Sequence, residues 1–568
     1  MVLVYVVFTT ARQLNTGDEA RHNRFRTDGL YRGRRPVEAF YFVTGGNPLG
    51  QVWLEIDMPE YSMLFNHTNG RFDPQDMSAP VFFPDLNLDQ VIDAILAQKE
   101  EYVLHPFYYD SPRDVATIRY RQDVFRDLES ESLQNHIRAF AEKMAVARRY
   151  LDLTNKLYYP YNHRGWFLEA AAVYVEAVTG LATDLSGAAL HSRALLGFRD
   201  TLTRYTQSPR FVALAEDTRQ RKDDMAAVRY SIIIKGDLVQ VRPYEDEIDY
   251  SRVVEETFAK FEEGGARNYK VELTIHSGMN HIEAHILEFV AKLHPEVFNE
   301  LDRYYREHAS FFDPTIRSFD REIQFYLGYL EYIAPIKRAG LKFCYPTISS
   351  RDKAVHAVDA FDLALAHLRV AEGAPVVTND FQLKDAERII VVSGPNQGGK
   401  TTFARMFGQL HFLAGIGCPV PGREARLHLY DNLFTHFEEE EDIHNLHGKL
   451  QDDLIRIRHI LEQASGDSVI IMNEIFTSTS LEDALFLSRK VLNEMIQLDA
   501  LGVCVSFIDE LSTLGPQTIS MVSTVVPDNP ALRTFKIVRQ PADGLSYAIH
   551  IAEKHRLTYA AIKERIAG

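Results

Sequence analysis

The chain is 568 residues long, 46% apolar and 25% charged, enough for several folded domains, each with its own buried core. Its formal charge of −17 excludes a protein whose whole surface coats nucleic acid, because phosphate contacts are made mainly by Lys and Arg, and leaves only local basic patches for that purpose. Three cysteines, Cys344, Cys418 and Cys504, stand far apart without metal-ligand spacing, which argues against a disulfide framework or a Cys-based zinc site and fits a reducing compartment, the cytoplasm.

The opening run MVLVYVVFTT has about eight near-continuous apolar residues and no basic stretch before them, too short for a membrane span and wrongly flanked for a signal peptide. It reads as a buried strand, and no membrane partner is expected. Residues 1–85 form a small N-terminal block of uncertain fold, with β-leaning runs, a basic patch at Arg32, Arg34 and Arg35, and the turn-like FPDLN at its end. From 88 to 220 the pattern is helical. Ser111 is placed as an N-cap with Pro112 first and Asp114 third in the helix, and Val115, Ile118, Gln122 and Phe125 open its amphipathic face.

Residues 228–242 read as two short strands around the turn Lys235-Gly236-Asp237. Basic Arg229, Lys235 and Arg242 there are candidates for DNA phosphates, offset by Asp237, Glu245, Asp246 and Glu247. Helical periodicity resumes at Ile282, Ile286, Phe289, Val290 and Leu293 and continues through FYLGYLEYIAPIKRAGL. His281 and His285 stand one helical turn apart, but Glu283 is misplaced for a zinc-protease arrangement and no third ligand is evident, so an ordinary helix face is the preferred reading. After 345 the character changes: short apolar strands (RIIVVSG, SVIIMNE, LGVCVSF) alternate with helical stretches, the signature of an α/β nucleotide-binding sheet.

The chemistry concentrates there. A strand through Val392 runs into Gly394, Pro395, Asn396, Gln397, Gly398, Gly399, Lys400, Thr401 and Thr402, a phosphate-loop pattern in the strand–loop–helix context that confirms it. Glycines let backbone N–H groups turn toward phosphates, the following helix adds the positive end of its dipole, Lys400 supplies a point charge, and Thr401 offers a hydroxyl to Mg²⁺. ATP and Mg²⁺ are therefore the expected ligands. Some seventy residues on, SVIIMNE ends in Asn473-Glu474. Glu474 is placed to polarise the attacking water, and Asn473 takes the usual position of an aspartate that supports the metal's water shell, without its charge.

GPNQGGKTT, VIIMNEIFTSTS and DGLSYAIHIAEKHRL together resemble the ATPase domain of the MutS family of DNA mismatch-repair proteins, and LHPFYYDSPRDVATIRYRQDVF resembles the entry to that family's core domain. The resemblance runs from about 85 to 568. It implies a multidomain chain: a helical core and lever over 86–345 with a small β-containing, clamp-like insertion near 228–275, then an α/β P-loop ATPase domain of ABC/MutS type over 346–568. It further implies an ATPase that binds mismatched, branched or distorted duplex DNA and uses ATP binding and hydrolysis as a conformational switch, working as a homodimer with downstream repair proteins. Within VTNDFQL, Val377 and Asn379 fall in the segment that holds the family's adenine. Three departures stand out: Gly448 and Lys449 replace a serine that reaches the partner's γ phosphate, Phe507 replaces a histidine, and Asn473 replaces an aspartate. They imply slow or differently controlled hydrolysis, with Lys449 as a candidate substitute cation. The acidic run Glu438 to Asp442 reads as a solvated loop near the site. The family's mismatch-reading wedge is not recognisable in residues 1–85, and no nuclease-like extension is expected. Two other readings are an ABC-type or chromosome-structuring ATPase, against which no LSGGQ-like run precedes SVIIMNE, and an ATP-gated scaffold without strong DNA binding.

Overall fold

The computed structural model describes residues 61–66, 78–235, 238–245, 279–438, 448–526 and 529–542, with 562, 563 and 565 near the C terminus. The apolar opening run, Arg32, Arg34 and Arg35, the Gly236-Asp237 turn, Glu439 to Asp442 of the acidic run, and DGLSYAIHIAEKHRL lie outside the described residues. Two compact units emerge. One holds the described residues of 136–186 and 201–313, the other those of 57–135, 187–200 and 314–568. Among the described residues, no helix is long and apolar enough to cross a membrane.

In chain order, α1 (Leu88–Leu96) buries Leu88, Val91, Ile92 and Ile95, the spacing of one helical face. It is followed by α2 (His105–Tyr109) and α3 (Val115–Asp127). The α3 cap differs from the expected one. Asp114, not Ser111, is the N-cap, accepting from the N–H groups of Ala116 at 3.1 Å and Thr117 at 2.8 Å. Arg113 has φ +48°, a left-handed conformation that a first helical turn starting at Pro112 would not contain, so the helix starts after it.

Helices α4 (Glu131–Lys156), α5 (Pro160–Gly187), α6 (Arg193–Thr206) and α7 (Pro209–Ala227) follow. In the first unit, β1 (Tyr230–Lys235) and β2 (Leu238–Pro243) pair antiparallel from Tyr230↔Pro243 to Lys235↔Leu238, the hairpin expected there. Then come α8 (His281–Leu293) and α9 (Pro295–Glu307). Val228, Tyr230 and Ile232 pack with Val290, Ala291 and Phe298 into a small core. Ile282 and Phe289, two of the periodic residues of α8, stay half-exposed. The α8 start explains Glu283 without a metal: Asn280 and Glu283 form a capping box, and His285 Nδ1 lies 2.7 Å from the carbonyl of His281.

The second unit is built on α10 (Pro314–Arg338), buried along most of its length. After the short β3 (Phe343–Cys344), the strands β4 (Thr347–Ser349) and β5 (Val355–Ala360), helix α11 (Leu363–Ala371) and β6 (Asn379–Leu383) follow. Then come β7 (Ile389–Ser393), α12 (Lys400–Gly415), the short β8 (Val420–Pro421), β9 (Glu424–His428), β10 (Leu433–Phe437), α13 (Lys449–Gln463), β11 (Val469–Asn473), α14 (Leu481–Leu498), β12 (Leu501–Val505), β13 (Thr518–Val526) and β14 (Asn529–Arg539). The main sheet has the order β10-β11-β12-β7-β13-β14, parallel except for β14. Every residue of β7, β11 and β12 is buried, which is why these strands read as unbroken apolar runs rather than alternating ones. A second sheet, β4-β9-β5-β6, stands in the same unit.

FPDLN, read as the end of an N-terminal block, is built into this unit. Arg405 Nε donates to the Asp85 carbonyl at 2.9 Å, Gln409 Nε2 to the Leu86 carbonyl at 2.8 Å, and Thr435 Oγ1 to Asp85 Oδ2 at 2.6 Å. At Gly408 of α12 a Cβ would come within 2.6 Å of Ile471 Cδ1 and 2.7 Å of Leu86 Cδ1, so those side chains would have to shift to admit one.

Candidate functional site

The main sheet delivers its chemistry at the carboxyl ends of β7 and β11, where α/β sheets usually bind ligands. At the end of β7 the chain turns through Gly394 (φ +111°), Gln397 (φ +60°) and Gly399 (φ +91°). Two glycines are also forced by close approach of β13. A Cβ on Gly394 would lie 2.9 Å from the Ser523 carbonyl, and one on Gly398 would lie 2.2 Å from Ser523 Oγ, which donates to the Gly398 carbonyl at 2.7 Å. Gly399 caps α12 without a side-chain hydrogen bond, leaving the helix's first N–H groups for an anion.

Lys400 lies folded into this loop. Its ammonium donates to the Gly394 carbonyl at 3.0 Å and to Asn396 Oδ1 at 3.1 Å, with Glu474 Oε1 at 3.8 Å. Burial pushes its pKa below the ordinary lysine value; Glu474 opposes that and Arg533 adds to it. Thr401 Oγ1 donates to Asn473 Oδ1 at 3.1 Å. Asn473 is buried at the end of β11, and Glu474 follows in a left-handed conformation (φ +55°), its N–H bound to the Val505 carbonyl at 2.9 Å. The loop, Thr401, Asn473 and Glu474 are thus brought together as their spacing suggested. The donor set suits an ATP–Mg²⁺ pair: uncapped helix N–H groups, one ammonium, one hydroxyl and one carboxylate at the ends of adjacent elements.

The other expected residues lie on neighbouring elements. Val377 is half-buried ahead of β6. The Asn379 amide is engaged by β14: Nδ2 donates to the Phe535 carbonyl at 3.2 Å, and Oδ1 accepts from the Ile537 N–H at 2.8 Å. Thr402 sits in the first turn of α12. Gly448 caps α13, and Lys449 pairs with Glu438, which also accepts from Thr477 Oγ1 at 2.9 Å. These two residues flank the stretch 439–447. Lys449 and Thr477 hold the Glu438 pKa below the usual carboxylate range. Phe507 is half-exposed beyond β12.

The sequence reading missed Arg533 and Phe535. Arg533 Nε donates to the Asn396 carbonyl at 3.2 Å, and a Cβ on Gly399 would lie 3.8 Å from Phe535 Cβ and Cδ1. Phe535 is itself left-handed (φ +58°) and half-exposed. RTFK carries no motif, and over 130 residues separate it from the loop, so only the β13–β14 pairing places it there.

The model of MutS domain V matches residues 390–565. The chain is 31% identical over 191 residues to a DNA mismatch repair protein MutS of Brevibacillus brevis, a match covering 32% of this chain and 22% of that protein. It is 28% identical over 190 residues to the DNA mismatch repair protein MutS of Halalkalibacterium halodurans, covering 33% and 22%. It is 27% identical over 234 residues to an Endonuclease MutS2 of Lactococcus lactis, covering 40% and 29%. The chain thus spans less than a third of the length of these relatives. Residues 390–565, which hold the phosphate loop, Asn473-Glu474 and the β13–β14 pair, are therefore similar to domain V of the MutS family.

Proposed function

We propose that this chain binds ATP with Mg²⁺ at the loop Gly394–Thr402, hydrolyses it slowly, and uses the two nucleotide states as a conformational switch on mismatched or branched duplex DNA, as a homodimer. The observation that carries the reading is the convergence of Lys400, Thr401, Asn473 and Glu474 at the ends of β7 and β11. Lys400, released from the Gly394 carbonyl and Asn396, neutralises the triphosphate, while the uncapped start of α12 donates to it. Thr401 Oγ1 and, through water, Asn473 would hold Mg²⁺, which would supply charge neutralisation to the triphosphate. Glu474 accepts a hydrogen bond from the attacking water and orients it. Asn473 offers only a neutral carbonyl to the metal's water shell, and Lys449 is engaged in its own chain by Glu438; both favour slow turnover.

The test is nucleotide binding and steady-state turnover of the full chain with and without Mg²⁺, repeated with homoduplex, mismatched and four-way-junction DNA. Binding without any DNA effect would replace the switch on DNA by an ATP-gated scaffold, the second reading, which the uncharged Asn473 at the metal position favours. No nucleotide binding would remove both. Rapid DNA-stimulated hydrolysis would overturn the slow-turnover reading.

A further inference from the structure

Ser523 of β13 meets the phosphate loop at two points. It is wholly buried and is seated between two strands: Val522 stands opposite Ser393, the last residue of β7 before the loop, and Ser523 itself stands opposite Ile537 of β14. Ile537 is held in turn by the Asn379 amide. From this seat the Ser523 backbone closes on Gly394, where a Cβ would lie 2.9 Å from its carbonyl oxygen and 3.0 Å from its nitrogen. Its Oγ donates to the Gly398 carbonyl at 2.7 Å, a buried bond. That carbonyl belongs to the peptide joining Gly398 to Gly399, which is trans. A trans peptide is planar, with its C=O and N–H pointing in opposite directions, so the carbonyl turned to Ser523 sends the Gly399 N–H away from β13.

We infer, on the reading that this loop binds ATP, that Ser523 is a positioning residue of the nucleotide site: its hydroxyl latches the Gly398–Gly399 peptide with the carbonyl outward and the N–H turned into the hollow of the loop, where a phosphate oxygen accepts it. Glycine gives this peptide two ways to lie. Reversing one peptide turns ψ of the residue before it and φ of the residue after it by about half a turn, so Gly399 would pass from φ +91° to about −90°. Glycine adopts either sign about equally, and both residues at this joint are glycine. The reversed peptide would aim a carbonyl oxygen at the phosphates and repel them. A side chain at Gly398 cannot bias the choice, since its Cβ would fall 2.2 Å from Ser523 Oγ. The close approach of β13 thus removes the joint's own conformational preference, and the buried hydroxyl supplies one. A buried hydrogen bond between neutral groups shifts such an equilibrium by about tenfold. Because nucleotide binds the latched form, loss of the latch lowers apparent affinity by the fraction of chains left latched, while chains already holding nucleotide react as before.

The experiment is equilibrium binding of ATP and ADP to the full chain, native and Ser523→Ala, with phosphate release at saturating ATP measured beside it. In Ser523→Ala the Kd of both nucleotides should rise about tenfold, whereas release at saturation should stay within about twofold of native, a split that a general loosening of the unit would not produce. Should that variant not fold, Ser523→Cys, which keeps a side chain there but donates only weakly, is read in the same way. Unchanged affinity in a folded Ser523 variant, or a fall in release at saturation with Kd unchanged, would overturn the latch while the native chain still binds nucleotide. A native chain that binds neither ATP nor ADP would overturn the ATP-binding reading and the latch with it.

Discussion

The two ends of α12 are held by opposite means. At its start, glycines, an uncapped turn and a lysine folded onto loop carbonyls leave donors that an anion can claim. At its finish, the Ile416 carbonyl is taken by the Arg121 guanidinium, and Gly417 turns with φ +84° under Arg121 Cβ, where a Cβ of its own would lie 2.8 Å away. One end is left open toward the loop, the other is closed by the chain itself. A helix so placed can respond to a phosphate at one end only as far as its other end permits, which makes the far end as worth testing as the loop.

The largest expected effect is at the open end: Glu474→Gln should lower turnover by about 10² to 10⁴-fold while ATP binding persists, measured by steady-state release of phosphate beside equilibrium nucleotide binding. Equal loss of binding would mean that Glu474 supports the loop rather than the water. Lys400→Ala comes next, with nucleotide affinity reduced about 10²-fold, in line with about 3 kcal/mol for a buried charge-assisted contact. At the closed end, Arg121→Met leaves two buried carbonyls without donors and should cost about 2–4 kcal/mol in denaturant unfolding, with little change in nucleotide affinity if the two ends are independent. A comparable fall in affinity would show that the ends are coupled. Midway, Gly408→Ala drives a methyl into Ile471 and Leu86 and should cost about 1–3 kcal/mol. The smallest is Asp114→Ala, about 1 kcal/mol, confined to the start of α3.

What was legible in the sequence follows the same division. The loop, the β11 end and the β1–β2 hairpin are read from neighbours in the chain, because glycine spacing, an apolar run and a turn dipeptide act over a few residues. Partners far apart in the chain are not, at either end. Nothing local marks Ser62 as a partner of Glu322, 260 residues on, or Arg533 as a partner of Asn396, 137 residues back. The α3 start shows the same limit on a small scale: Ser111-Pro112 satisfies a capping rule, but the left-handed Arg113 and the double acceptance by Asp114 decide the outcome. Asn379, placed by resemblance in the adenine-holding segment, also has its amide bonded to β14, a pairing no local pattern announces.

That amide has a consequence of its own. A sheet's last strand offers unpaired N–H and C=O groups on which another chain can polymerise. At Phe535 and Ile537 the Asn379 side chain presents one donor and one acceptor, as a neighbouring strand would, and among the described residues no further strand pairs with β14 on that side. Asn379→Asp, whose ionised carboxylate has no proton for the Phe535 carbonyl, would leave that margin exposed, and the expected sign is self-association on concentration.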